Sequence, residues 1–211
     1  MKKILTSPIF WGVLLILGGV LFLLDTFNII SIDDLLWLII TAVAGVLFVA
    51  VYLFNHDHWW ALIPGIILLA LATLIGLTTY LPGFSDSNLE PLVIFGGIAL
   101  SFLLVYLADR MNWWAIIPMG IMATLGSVAV LSNQTRIPTS GIFFLGLGLT
   151  FVLVAILPNK VGSMKWAWIP GGILGVFGLV LLVAQEDLLN YIWPLALIIC
   201  GLQLIIRSFR R

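Results

Sequence analysis

Apolar residues run in eight long blocks, at about 8–24, 35–54, 59–80, 91–108, 113–131, 141–157, 166–184 and 191–206, and polar residues gather in the short gaps between them. Each block is close to the roughly 20 residues that a helix needs to cross the hydrocarbon core of a bilayer. Backbone polar groups in lipid must pair within the segment, so the blocks predict helices. A membrane β-barrel would show strands of about ten residues with alternating polarity, and no such alternation is present. The pattern predicts an all-α membrane protein with eight transmembrane helices.

The blocks also repeat. Trp-Trp-Ala-Leu-Ile-Pro-Gly at 59–65 returns as Trp-Trp-Ala-Ile-Ile-Pro-Met at 113–119 and as Lys-Trp-Ala-Trp-Ile-Pro-Gly at 165–171. With Pro64, Pro118 and Pro170 in one column, Trp11 falls on the same column, and the spacings are 53, 54 and 52 residues. A fixed period of this kind marks a structural repeat. Residues 1–211 then form a single transmembrane domain of four helical hairpins, at about 7–55, 58–110, 112–160 and 165–211. Each hairpin starts and ends on the same side, so all four share one orientation, as parallel repeats do. A pseudo-fourfold arrangement is the simplest assembly, and a linear row of hairpins is the alternative. The three prolines lie about a turn inside their helices, where they are expected to tilt or kink the first turn without breaking the span.

Composition agrees with a lipid environment. The chain of 211 residues is 63% hydrophobic and 9% charged, against about 25% charged in soluble domains. Nine basic and nine acidic residues leave no net charge and no basic patch, which argues against nucleic-acid binding. The lone cysteine, Cys200, cannot form an internal disulfide. The apolar run after Met1-Lys2-Lys3 lacks a small-x-small cleavage site and matches the first helix of the other repeats, so it is expected to be the first span and not a signal peptide.

The few charges set an orientation. With the N-terminus in the cytoplasm, Lys2, Lys3, Arg110, Lys160, Lys165, Arg207, Arg210 and Arg211 lie inside and only Arg136 lies outside. That is the expected positive-inside bias, with both termini cytoplasmic in a bacterial plasma membrane. Tryptophans fit the same frame. Trp11, Trp59, Trp60, Trp113, Trp114, Trp166 and Trp168 begin odd-numbered spans on the inner side, and Trp37 and Trp193 begin even-numbered spans on the outer side. Indoles favour the headgroup layer, so these nine are membrane-interface anchors.

An ionisable residue within a span would mark a functional site, and the middle of every span lacks one. The polar residues there are mild: Thr41, Thr73, Ser101, Thr124, Ser127, Thr150 and Gln203. Their serine and threonine hydroxyls can turn back onto a carbonyl of the preceding turn. Proton pumping, voltage sensing and ion-coupled transport are disfavoured. Gly171, Gly172 and Gly175 read as a helix-packing face, Gly171 and Gly175 forming a G-x-x-x-G pair. A side chain at Gly172 is accordingly expected to disrupt packing. His56-Asp57-His58 is a weak candidate for a metal or pigment ligand, with too few ligands for a closed site. No catalytic motif and no cofactor site are evident.

The first repeat reads Phe-Trp-Gly-Val-Leu-Leu-Ile-Leu-Gly-Gly-Val-Leu-Phe-Leu-Leu-Asp at 10–25, then Leu-Leu-Trp at 35–37. The last reads Tyr-Ile-Trp-Pro-Leu-Ala-Leu-Ile-Ile-Cys-Gly-Leu at 191–202 and closes with Arg207. These segments resemble the LiaI–LiaF-like transmembrane region of small bacterial membrane proteins, over about 45 residues at each end. Trp193-Pro194 keeps that pattern's Trp-Pro, whereas Trp37-Leu38 departs from it. The resemblance implies a membrane partner, since some members act with histidine kinases in sensing envelope stress. A soluble C-terminal domain of the LiaF kind is not expected in a chain that stops at Arg211.

The expected protein is non-enzymatic and acts through protein or lipid contacts, as an accessory, scaffold or cell-envelope stress component. Its expected partners are the bilayer and a membrane protein or further copies of itself. A channel or carrier for a neutral or apolar solute is the first alternative, favoured if buried hydroxyls face one cavity. A pigment- or lipid-binding subunit of a larger complex is the second.

Overall fold

The computed structural model describes residues 33–132 and 138–183, together with the isolated positions Gly12, Ile16, Gly18, Gly19, Val20, Leu23, Phe27 and Ile198. The predicted spans at 8–24 and 191–206 therefore lie outside the continuous part, as do Trp11, Trp193, Cys200 and Gln203.

Among the described residues the chain is helical, without strands. Six α-helices follow one another: α1 (Asp34–Phe54), α2 (Leu62–Tyr80), α3 (Glu90–Ala108), α4 (Ile116–Ser132), α5 (Thr139–Ile156) and α6 (Trp168–Val183). Short 3-10 turns at Trp59–Ala61, Trp113–Ala115 and Lys165–Ala167 lead directly into α2, α4 and α6. Counting those turns, six segments are long and apolar enough to cross a membrane, which fits a multi-pass membrane protein. Their surfaces agree: Val46, Leu47, Leu149, Ile169 and Ile173 are all well exposed. So many bare aliphatic side chains are stable only where the solvent is itself apolar.

Pro64, Pro118 and Pro170 are each the third residue of their α-helix. Amides of the first turn have no intrahelical acceptor, so a proline there forfeits no ladder bond. This is why three prolines coexist with three intact spans.

Helices pack on their neighbours in sequence: α1 on α2, α2 on α3, α3 on α4, α4 on α5, and α5 on α6. The links at 55–58, 109–112 and 158–164 share one end of this row, shown by aromatic contacts from Trp59 to Trp114 and from Trp113 to Trp166. We call this end the Trp rim. At the opposite end Asp33, Asp34, Asp86 and Glu90 begin helices or sit in the 81–89 link, and Thr79 donates to Asp34 at 3.4 Å. The buried core is not central. Leu62, Val105, Tyr106, Ala115, Ile116, Val154, Met164 and Ala167 form it, all within a turn or two of the Trp rim.

Glycine sets two kinds of helix contact. In α5·α6 backbone meets backbone. A Cβ on Gly148 would fall 2.8 Å from the Gly175 nitrogen and 3.0 Å from the Gly171 oxygen, and one on Gly178 would fall 2.6 Å from the Leu145 nitrogen. The α1·α2 contact is built alike, a Cβ on Gly45 reaching 2.9 Å from the Gly65 oxygen. In α4·α5 the contact is reciprocal. Thr150 fills the space a Cβ on Gly120 would need, and Thr124 fills the space at Gly146.

The glycines singled out from sequence divide accordingly. Gly171 packs against Phe151 and Val152, and Gly175 presents its backbone to Gly148. A Cβ built on Gly172 or on Gly175 meets no described atom within 4 Å, but Gly175 lends its backbone to the contact with Gly148 and Gly172 takes part in no such contact. Successive residues on a helix are 100° apart, so Gly171 and Gly172 cannot both face α5. The packed stripe is Gly171, Gly175 and Gly178, at i, i+4 and i+7.

Candidate functional site

The Trp rim is made from one turn used three times. Asn55, Asp109 and Asn159 each follow or end the outgoing segment, and each accepts a backbone bond two residues on: from the Asp57 nitrogen at 3.1 Å, the Met111 nitrogen at 3.0 Å and the Val161 nitrogen at 3.0 Å. Short Asn and Asp side chains mimic a backbone turn in this way. The chain then reaches His58, Asn112 or Met164, whose φ/ψ values are −90°/45°, −83°/40° and −91°/42°. Their carbonyls accept from the amides of Ala61, Ala115 and Ala167 at 3.0 Å each. Those alanines are fully buried, so a larger side chain has no room in this tight turn.

The turn places the tryptophans in a ladder. Phe48, Phe102 and Phe151 lie edge-to-face with Trp60, Trp114 and Trp166 at 6.3, 6.1 and 6.1 Å. Trp59 in turn meets Trp114 at 5.9 Å, and Trp113 meets Trp166 at 6.4 Å. T-shaped pairs of this kind are favourable because ring edge and ring face carry opposite partial charge. Trp59 and Trp113 thus each lock to an indole of the next rim turn. The second remains substantially exposed, as does Trp168. Lys165 occupies the column of Trp59 and Trp113, so no further rung is offered at that position. Trp37, a single indole near the start of α1, is half-buried at the acidic end.

A polar cluster joins two of the rim links. Tyr106, buried near the end of α3, donates its phenol to the Pro158 carbonyl at 2.7 Å. The Arg110 guanidinium lies over the same ring, 4.2 Å from its centre. Lys160 pairs with Asp109 at 2.9 Å, both side chains being well exposed. The Met111 backbone amide, and then Lys160, hold the Asp109 carboxyl below its ordinary value of 3.8. Each hydrogen bond favours the ionised form. Both bonds fall on the Oδ1 oxygen of Asp109, and Arg110 has no carboxylate partner among the described residues.

His56 and His58 do not assemble into a ligand set. His56 rests against Tyr52 at 4.9 Å and His58 against Trp60 at 6.4 Å between ring centres. The Nδ1 of His58 is buried without a partner. Among the described residues no group of three or more His, Cys, Asp or Glu side chains is placed to hold a metal ion.

Within the spans, hydroxyls are turned inward on their own helices. Thr41, Thr73, Thr124, Ser127 and Thr150 donate to the carbonyl four residues back at 2.8 Å, and Ser101 donates to Ile98 at 2.7 Å. A groove of about 380 Å³ runs between α4 and α5, floored by Gly120 and Gly146 and walled by Met119, Leu145, Leu149 and Leu153. Thr124, Ser127 and Thr150 border it, a placement of hydroxyls on one cavity that favours the channel or carrier alternative, although their protons are committed to their own helices. Sequence reasoning foresaw these internal bonds and did not foresee the groove. Its signal was available as two G-x-x-x-T strings, Gly120 to Thr124 and Gly146 to Thr150.

No family model matches this chain, and no curated protein or solved structure matches it significantly.

Proposed function

We propose that this chain is a non-enzymatic, multi-pass protein of the bacterial plasma membrane that works through protein or lipid contacts, as an accessory, scaffold or envelope-stress component of the LiaI–LiaF-like kind. On this reading eight spans form four hairpins of one orientation, with both termini in the cytoplasm and the Trp rim facing it. One observation carries the reading. No described charge lies within a span, every one sitting at a helix end or link, and the mid-span hydroxyls donate their protons within their own helices. A proton pump or ion-coupled carrier needs charge within its spans, and the hydroxyls bordering the α4·α5 groove keep only acceptor lone pairs for a solute. What the described spans do offer is apolar surface, of which Ile169, Ile173 and Val176 on α6 are two-thirds exposed. Large exposed apolar surface in a membrane protein serves lipid or another span.

The reading is tested by reconstituting the purified chain into liposomes and following glycerol and urea entry by light scattering. Entry at the rate of protein-free liposomes is expected. A rate several-fold higher that scales with protein density would replace this proposal by the channel or carrier.

A further inference from the structure

Arg110 is the one described rim cation that is both oriented and unpaired. Its guanidinium carbon sits over the Tyr106 ring, 4.2 Å from the centre, and that ring is fixed by burial and by the phenol bond to Pro158. A guanidinium held over a ring as a cation still has N–H donors for a phosphate, in the planar fork that suits it. The nearest acid in sequence, Asp109, is already engaged by Lys160 and the Met111 amide. The cluster of Asp109, Arg110 and Lys160 therefore carries one positive charge in excess. Its depth is set by the indoles that follow at once, Trp113 and Trp114, whose preferred layer is that of the headgroups. At that depth the abundant anion is the phosphodiester of a lipid.

We infer that Arg110, supported by Lys160, binds the phosphodiester group of an anionic phospholipid at the Trp rim. The site rests on the membrane reading above, though not on the absence of transport. Tyr106 acts as a positioning residue, holding the guanidinium over a buried ring. Lys160 supplies a second donor, since an ammonium has three protons and the carboxylate of Asp109 takes one. Lys165, exposed and outside the cluster, serves as the internal control.

The test is native mass spectrometry of the full chain in mild detergent, given equal amounts of phosphatidylglycerol and phosphatidylcholine. The wild type is expected to retain phosphatidylglycerol about tenfold over phosphatidylcholine, because the choline ammonium offsets the phosphodiester charge toward the cationic cluster and phosphatidylglycerol carries no such cation. Arg110→Gln should bring the ratio close to one, Arg110→Lys should fall between, and Lys165→Gln should match the wild type. Thermal unfolding in the same detergent identifies any variant that fails to fold. The inference is overturned by equal retention of the two lipids, by an Arg110→Gln ratio like the wild type, or by an equal loss in Lys165→Gln. Displacement of the lipid by millimolar inorganic phosphate would also overturn it, since the site would then be one for a free anion. Any of these results leaves the liposome flux unchanged, so the two proposals fail separately.

Discussion

Helix α5 meets its two neighbours by different means. Toward α6 it presents Gly141, Leu145 and Gly148 in a stripe, and the two backbones close until no Cβ fits at Gly141, Gly148 or Gly178. Toward α4 it presents Gly146 and Thr150, and each threonine seats in the space left by the other helix's glycine. The first contact is between main chains, which have nowhere to move. The second is between a main chain and a side chain, and a side chain can change rotamer or shift. Lipid supplies no hydrophobic drive for helix association, so packing of this quality decides which helices stay together. The α5·α6 pair should behave as a rigid unit, and the α4·α5 seam should be the softer one, with its groove left open.

Gly148→Leu and Gly178→Leu put a side chain against backbone nitrogen or oxygen and should produce the largest effect. Each is expected to cost about 3 kcal/mol or more, read as a fall in thermal midpoint in detergent or as loss of folded protein. Gly45→Leu, at the equivalent place in α1·α2, should lose a similar amount. A mild Gly45 variant beside a severe Gly148 variant would show that the two helix pairs are not built alike.

Gly120→Leu meets only the Thr150 side chain, so a cost of about 1–3 kcal/mol is expected. Thr150→Val should change stability by less than about 1 kcal/mol, because the hydroxyl bonds within its own helix. If the valine variant proves the worse of the two, the seam is held by its hydroxyls and not by its shape.

Gly172→Leu, on the face of α6 turned away from α5, should stay within about 0.5 kcal/mol of the wild type. A large loss there would mean that another span covers that face as closely as α5 covers the other.

Asp109→Asn should have the smallest effect, because the ion pair with Lys160 is exposed and solvent-screened. Its sign with pH is fixed. The folded pKa is lowered, so its contribution is present above the unfolded value and is lost as pH falls through the folded one. The difference between wild type and Asp109→Asn should therefore vanish in strong acid, as followed by thermal unfolding across pH. A difference that grows on acidification would contradict the assigned hydrogen bonds.

Much of this fold is written in runs of apolar residues. The spans expected at 35–54, 59–80, 91–108, 113–131, 141–157 and 166–184 match observed segments to within two residues at each end. Block length and polar gaps suffice for that, because a bilayer imposes one length on every element. Contacts between helices are less legible. Adjacent glycines invite a single face, and only the 100° rotation per residue separates Gly171 from Gly172. The Trp ladder was hidden for another reason. Each indole is a plausible anchor by itself, and nothing in the string says that Trp59 will meet Trp114 and not lipid. The histidines show the converse: His56 and His58 are neighbours in sequence, yet each rests on a different aromatic ring.

The row in which each helix packs on the one before it and the one after has a consequence for biosynthesis. Contacts between consecutive elements have short loops to close, so little chain entropy opposes them. A helix leaving the ribosome finds its partner already in the membrane, and need not wait for a distant segment to be made. The protein can thus be assembled in the order in which it is translated, one docking event per span, with the glycine-lined pair α5·α6 clamping late in that sequence.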